Sequence, residues 1–128
     1  MSRALILEDD PDLGDLLKQL LEENSVEVVS AQSVHSMKSQ REDVFGCQVG
    51  ILDVELGFGR PSGIDAFKWL KEQRFPGRIF FLTGHGNSHP LVLQARKIGN
   101  VEVLNKPISS DALLRLVGAL NSVGAVNQ

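Results

Sequence analysis

Ala4-Leu5-Ile6-Leu7 gives way, with no linker between, to Glu8-Asp9-Asp10-Pro11-Asp12. A four-residue apolar run cut off by charge is the signature of a buried strand that stops at a polar edge. Pro11 then opens a helix, because a proline in the first turn needs no amide partner and the early acids suit the positive end of the helix dipole. Leu13, Leu16, Leu17, Leu20 and Leu21 recur at spacings of three and four, while Asp12, Asp15, Lys18, Glu22 and Glu23 fall off that stripe. The spacing predicts a helix over 11–23.

The same strand-then-helix unit recurs along the chain. Val26, Val28 and Val29 mark a second strand near 26–30, followed by a short helix capped by Ser33 and running to about Arg41. Val49-Gly50-Ile51-Leu52 is a third strand, and it too runs straight into a carboxylate, Asp53. Gly57, Gly59, Pro61 and Gly63 read as flexible turns of a loop, and Ile64, Phe67, Trp69 and Leu70 as a third helix reaching Arg74. Ile79-Phe80-Phe81-Leu82 ends at Thr83-Gly84-His85-Gly86, with a helix over 88–98 to which Leu91, Leu93, Ala95 and Ile98 supply bulk. Val101-Glu102-Val103-Leu104 ends at Asn105-Lys106-Pro107, and Ser109 caps a last helix carrying Leu113, Leu114, Val117 and Leu120. Beyond Gly118 the sequence turns small and polar, and order is expected to fade.

Five short apolar strands alternating with amphipathic helices predict an α/β domain whose parallel sheet is covered on both faces. With 128 residues the chain has room for one such domain, and not for an eight-stranded barrel. Hydrophobic residues at 42% and charged residues at 23% are ordinary for a globular chain that buries its own core. Sixteen acidic against thirteen basic residues give a net charge of -3, which argues against a broadly basic nucleic-acid module. Cys47 is the one cysteine, so neither an intramolecular disulfide nor a thiolate metal cluster is built here. The apolar runs are too short to span a membrane, and no basic-plus-apolar leader precedes the first strand; a cytoplasmic location is expected.

The strand ends carry the chemistry. Asp9 and Asp10 follow the first strand, Asp53 the third, Thr83 the fourth and Lys106 the fifth. In open parallel sheets the working residues gather at these carboxyl ends. Carboxylates brought together there repel one another unless a cation sits among them. Oxygen ligands favour a hard ion, Mg²⁺ with Mn²⁺ as the alternative, and the absence of nearby thiolate or imidazole argues against zinc. With the lysine and the hydroxyl added, the set suits a phosphoryl group. Each residue alone has an ordinary explanation: Asp10 as a cap for the helix at Pro11, Lys106 as a solvated surface lysine. Gly57, Gly59 and Gly63 form no phosphate loop, since no Gly-Lys-Ser/Thr follows, and the pair His85 and His89 lacks a third ligand in register.

Taken together, Leu7-Glu8-Asp9-Asp10, Ile51-Leu52-Asp53, Leu82-Thr83-Gly84-His85-Gly86 and Asn105-Lys106-Pro107 resemble the receiver domain of bacterial two-component response regulators, over about residues 3–121. The resemblance implies a flavodoxin-like three-layer (βα)5 sandwich with strand order 2-1-3-4-5, a domain over 1–122, and a tail or linker start at 123–128. It also implies a cis Lys106–Pro107 peptide. Asp53 is then the phosphoacceptor, taking its phosphoryl group from a phosphohistidine on a sensor histidine kinase or phosphotransfer protein. Asp10 is the direct Mg²⁺ ligand and Asp9 a supporting one through water, with Asp53 and the Glu55 backbone carbonyl completing the set. Lys106 pairs with the phosphoryl oxygens, and Thr83 moves toward them. The output is a population shift in the face made by the 88–98 helix, the 101–104 strand and the last helix, a face that also serves homodimerisation. Either the chain is a stand-alone receiver or an effector domain follows residue 128.

Three departures from the family pattern stand out. The aromatic residue usual three positions before the lysine is Val103, which cannot swing between buried and exposed states with a comparable change of contact. Gly57 occupies the position, four past the acceptor, that is commonly proline, and the family's later glycine is matched by Gly63, implying an insertion with Phe58 and Arg60 free to face a partner. Glu55, two past Asp53, brings its side chain near the metal or the attacking water, and altered phosphoryl lifetime is expected. His85 lines the same entrance. The competing readings are an interaction module indifferent to phosphorylation, a phosphatase of haloacid-dehalogenase type, and a flavin binder, whose phosphate Asp9-Asp10 would repel.

Overall fold

The computed structural model describes residues 2–84 and 89–126, with side-chain surroundings through residue 120. Five strands, β1 (Arg3–Leu7), β2 (Glu27–Ala31), β3 (Val49–Asp53), β4 (Arg78–Thr83) and β5 (Glu102–Asn105), form one sheet in the order β2-β1-β3-β4-β5. Every pairing is parallel, with Leu7 beside Leu52, Asp53 beside Leu82 and Thr83 beside Asn105. The order reverses at β1, so the crevice at the carboxyl ends of β1 and β3 is the switch point where such sheets place their sites. The fold is the doubly wound α/β sandwich that the sequence predicts.

Among the described residues are six helices, the first five making the four crossovers and the last following β5: α1 (Pro11–Glu22), α2 (Val34–Ser39), α3 (Arg41–Phe45), α4 (Gly63–Glu72), α5 (Pro90–Lys97) and α6 (Ser110–Val126). Where one helix was expected after β2 there are two. The chain leaves helical geometry at Gln40 (φ -106°, ψ 29°), whose side-chain amide instead donates to the carbonyl oxygens of Ser30 and Ser36. The caps follow the sequence. The Ser33 hydroxyl accepts from the Ser36 amide, and Ser109 from that of Ala112. Ser62 and Asp65 close a reciprocal capping box at the start of α4. Helix α6 runs on to Val126.

Alternation along each strand sends side chains to two cores. Leu5, Leu7, Leu52, Ile79 and Phe81 pack against α2, α3, α4 and α5. Ala4, Ile6, Ile51, Phe80, Leu82 and Leu104 pack against Leu17 and Leu21 of α1 and Leu116 and Leu120 of α6. Each such leucine, fully withdrawn from water, contributes roughly 1.5–3 kcal/mol. The inward stripes are narrower than the spacing suggests. Leu16, Leu93 and Leu114 stand in solvent, and Val92, not Leu93, is the buried valine or leucine in the middle of α5.

Candidate functional site

Backbone hydrogen bonds carry the sheet past its formal ends and fix the site. The Glu8 amide donates to the Ala31 carbonyl, that of Val54 to Leu82, and that of Lys106 to Thr83. Glu8, Asp53 and Lys106 are thereby held at the carboxyl edge of β1, β3 and β5. The Lys106–Pro107 peptide is cis, as the resemblance implies.

The Lys106 ammonium reaches between two carboxylates, 2.7 Å from Glu8 Oε1 and 3.0 Å from Asp53 Oδ2. Glu8 and Asp53 are buried, only 2% and 3% exposed. Burial, followed by the hydrogen bond and like charge of Glu8, pushes the Asp53 carboxyl up to about 8 despite the nearby lysine. Burial alone would lower the Lys106 ammonium, but its bonds to Glu8 and Asp53 outweigh that and hold it raised. The pocket therefore holds more negative charge than one lysine balances. That excess favours a bound cation or a retained proton.

Glu8, Asp9 and Asp53 each offer a carboxylate oxygen within 4.8 Å of the others. Three hard oxygen donors at that spacing, under excess negative potential, fit a small divalent cation. Asp10, expected as the direct ligand, is placed differently. Its backbone is extended (φ -82°, ψ 111°), and its Oδ1 accepts from the amides of Asp12 and Leu13. It lines the same cavity of about 280 Å³, yet its side chain is committed to capping α1. Glu8 takes the inner place, its second oxygen receiving the Asp10 amide at 3.2 Å. With three acids in a row, spacing alone does not say which faces the pocket. The signal that was available is Asp10-Pro11, a cap followed by an N1 proline.

Gly63 is not a flexible turn. A Cβ placed there would lie 2.1 Å from the Asp53 carbonyl oxygen, so only glycine lets the start of α4 pack against the end of β3. Gly57 and Gly59 do adopt positive φ, 113° and 74°, and the Arg60 amide closes the turn onto the Gly57 carbonyl. Phe58 between them is wholly exposed, and Arg60 lines a second cleft with Asp9, Ser33 and Ser36. The Glu55 amide donates to Asp53 Oδ1, and its carboxylate meets His89 Nε2 at 3.2 Å, a contact no sequence spacing reveals. Thr83 is buried at the end of β4, one residue past the partner of Asp53. Val103 is half-buried against the α2–α5 core. His85 lies outside the described residues.

The chain matches the model of the response regulator receiver domain over residues 4–118. It is 36% identical over 118 residues to Nodulation protein W of Bradyrhizobium diazoefficiens, covering 91% of this chain and 49% of that protein. With the transcriptional regulatory protein FixJ of the same organism it shares 32% over 114 residues, 88% of this chain and 53% of the other. A solved response regulator receiver domain protein from Clostridium thermocellum superposes with a TM-score of 0.79 at 26% identity, over 98% of this chain and 99% of that one. Sheet order, clustered acids and these matches agree: the chain belongs to the CheY-like receiver domains of bacterial two-component response regulators. It spans from 24% to 53% of the length of the curated relatives it matches. Among the described residues, no helix is long and apolar enough to cross a membrane.

Proposed function

We propose that this domain is a phosphoacceptor switch that takes a phosphoryl group onto Asp53 from a phosphohistidine on a partner histidine kinase or phosphotransfer protein, in the cytoplasm. The observation that carries the reading is the Lys106 ammonium bridging Glu8 and Asp53 at the base of an open acidic cavity. An Asp53 oxygen attacks phosphorus, and the bond from phosphorus to the imidazole nitrogen breaks, its electrons leaving with the ring. Lys106 then has a phosphoryl oxygen to pair with in place of the Asp53 carboxylate. Thr83 supplies a hydroxyl as its partner across the pocket. Glu8, Asp9 and Asp53, with the Glu55 carbonyl, would hold Mg²⁺ or Mn²⁺, which neutralises phosphoryl charge during transfer. Later attack by water restores Asp53, so the domain acts on itself and has no metabolite substrate. Leu93 on α5 and Leu114 on α6 are exposed, and Arg115 ties α6 to Glu102 of β5 at 2.9 Å. That face is the one proposed to change on phosphorylation and to pair with a second copy or with an effector domain.

Incubation with Mg²⁺ and a small phosphodonor such as acetyl phosphate is expected to add one phosphoryl mass to the wild type and none to Asp53→Ala. No gain in the wild type, or a gain that survives the substitution, leaves only the interaction module. The acids separate by Mg²⁺ titration and thermal melting. Asp9→Ala weakens Mg²⁺ by about tenfold or more, since one of three charged ligands is lost. Asp10→Ala instead costs about 1 kcal/mol of stability through the lost cap, with Mg²⁺ affinity largely kept. The reverse pattern would return Asp10 to the metal.

A further inference from the structure

We propose that Glu55 and His89 form a strap across the mouth of the acceptor pocket, and that His89 is a positioning residue which sets how long a phosphoryl group survives on Asp53. The inference rests on the acceptor reading above and adds the element that regulates it. Glu55 follows β3, the strand that ends in Asp53, and lines the same cavity as Asp53 and Lys106. His89 precedes α5, on the far side of the neighbouring strand β4. Their 3.2 Å contact therefore ties together the two connections that emerge beside the acceptor.

The imidazole is anchored at Nδ1 and meets Glu55 with Nε2. Its Nδ1 accepts the Leu91 amide at 3.2 Å and so caps α5, which leaves the ring proton on Nε2, the nitrogen that lies 3.2 Å from Glu55 Oε2. On the other side, the Glu55 amide donates to Asp53 Oδ1 at 3.3 Å. One continuous path thus runs from the acceptor carboxylate through Glu55 and His89 to the first turn of α5, the helix on the proposed output face. This path does not use residue 103, where a valine replaces the aromatic usual in the family. Loss of the phosphoryl group requires water to attack phosphorus from the open side of the pocket. The bond from phosphorus to the Asp53 oxygen then breaks, inorganic phosphate leaves, and the carboxylate is restored. A carboxylate pinned at the pocket mouth by His89 narrows that approach; a released one does not.

The test loads the domain with acetyl phosphate and Mg²⁺, removes the donor, and follows the phosphoryl mass over time. His89→Asn retains a side-chain oxygen to cap α5 but is too short to reach Glu55, so it separates the strap from the cap. His89→Asn and Glu55→Ala are each expected to lose the phosphoryl group roughly fivefold faster, about 1 kcal/mol off the barrier to hydrolysis. The double variant should be no faster than either one. Glu55→Gln, whose amide oxygen has the same reach toward Nε2, should return most of the lifetime. Lifetimes in His89→Asn that match or exceed the wild type overturn the strap, as does Glu55→Gln behaving like Glu55→Ala. A wild type that gains no mass overturns the acceptor reading instead. Independently of phosphorylation, imidazole ¹⁵N spectra should show His89 protonated at Nε2, with the amides of Leu91 and Val92 shifting in Glu55→Ala. A ring sampling both tautomers, indifferent to Glu55→Ala, overturns the strap without any phosphodonor.

Discussion

In metal-free buffer near pH 8, Asp53→Asn unfolds at a higher temperature than the wild type, by about 2 kcal/mol or roughly 8 °C. The carboxyl of Asp53 is buried beside Glu8 and pushed from 3.8 up to about 8, so folding forces it to keep a proton that the unfolded chain has released. Between those two values the folded state binds more protons than the unfolded one, and stability falls as pH rises through the window. An asparagine removes that slope. It also gives up the 3.0 Å ion pair with Lys106, which offsets part of the gain and keeps the net effect well below what the whole shift would give. Near pH 4 the folded carboxyl is protonated and the unfolded one still partly so, which leaves little penalty, and the two proteins should unfold close together. Saturating Mg²⁺ at pH 8 should stabilise the wild type far more than the variant, closing the gap from the other side. Melts followed by circular dichroism at several pH values, with chelator and with Mg²⁺, read all of this. A variant less stable than the wild type at pH 8 without metal would show that the acidic pocket carries no electrostatic penalty.

Gly63→Ala should have the largest effect on the fold, costing about 3 kcal/mol or more, at the upper end of what overpacking a tight site produces. The added methyl carbon would lie 2.1 Å from the Asp53 carbonyl oxygen, 2.9 Å from its carbon and 3.1 Å from Val54 Cα. All three are backbone atoms, so no rotamer relieves the clash. Either α4 withdraws from the sheet or the end of β3 moves. Withdrawal breaks the hydrogen bond from the Gly63 amide to the Val54 carbonyl, and movement of β3 displaces Asp53 from Lys106. Denaturant unfolding should show the loss, and phosphoryl uptake from acetyl phosphate should fall in whatever fraction still folds. Gly59→Ala offers a contrast. Nothing lies near its Cβ, so the cost is only that of a positive φ, and the acceptor pocket stays intact.

Much of the site was legible because each strand announces its own end. Ile51-Leu52-Asp53 and Leu104-Asn105-Lys106-Pro107 change from apolar to polar chemistry within a residue or two, and a parallel sheet puts all such changes on one edge. Less legible was anything that depended on the angle of a helix stripe. Leu16, Leu93 and Leu114 carry the right spacing, yet the sheet presents a finite surface, and these positions fall outside it. The break between α2 and α3 was hidden for a similar reason. Gln40 prefers two backbone carbonyls to a place in a continuous helix, a choice made by its neighbours in space.

The alternation of apolar strands with amphipathic helices was enough to determine a doubly wound sheet, because short-range periodicity reports which face of each element is buried. It also assigned Asp53 and Lys106 to one edge. Tertiary structure alone decided which of Glu8, Asp9 and Asp10 meet them. Consecutive residues leaving a strand diverge in direction, and only the packed molecule shows that Glu8 turns inward to Lys106 while Asp10 turns aside to cap α1. It alone also joined Glu55 to His89, and fitted the α4 backbone against β3 so closely that Gly63 admits no side chain. Contacts between residues so far apart along the chain depend on how the sheet twists and where each helix docks, quantities that no local pattern records.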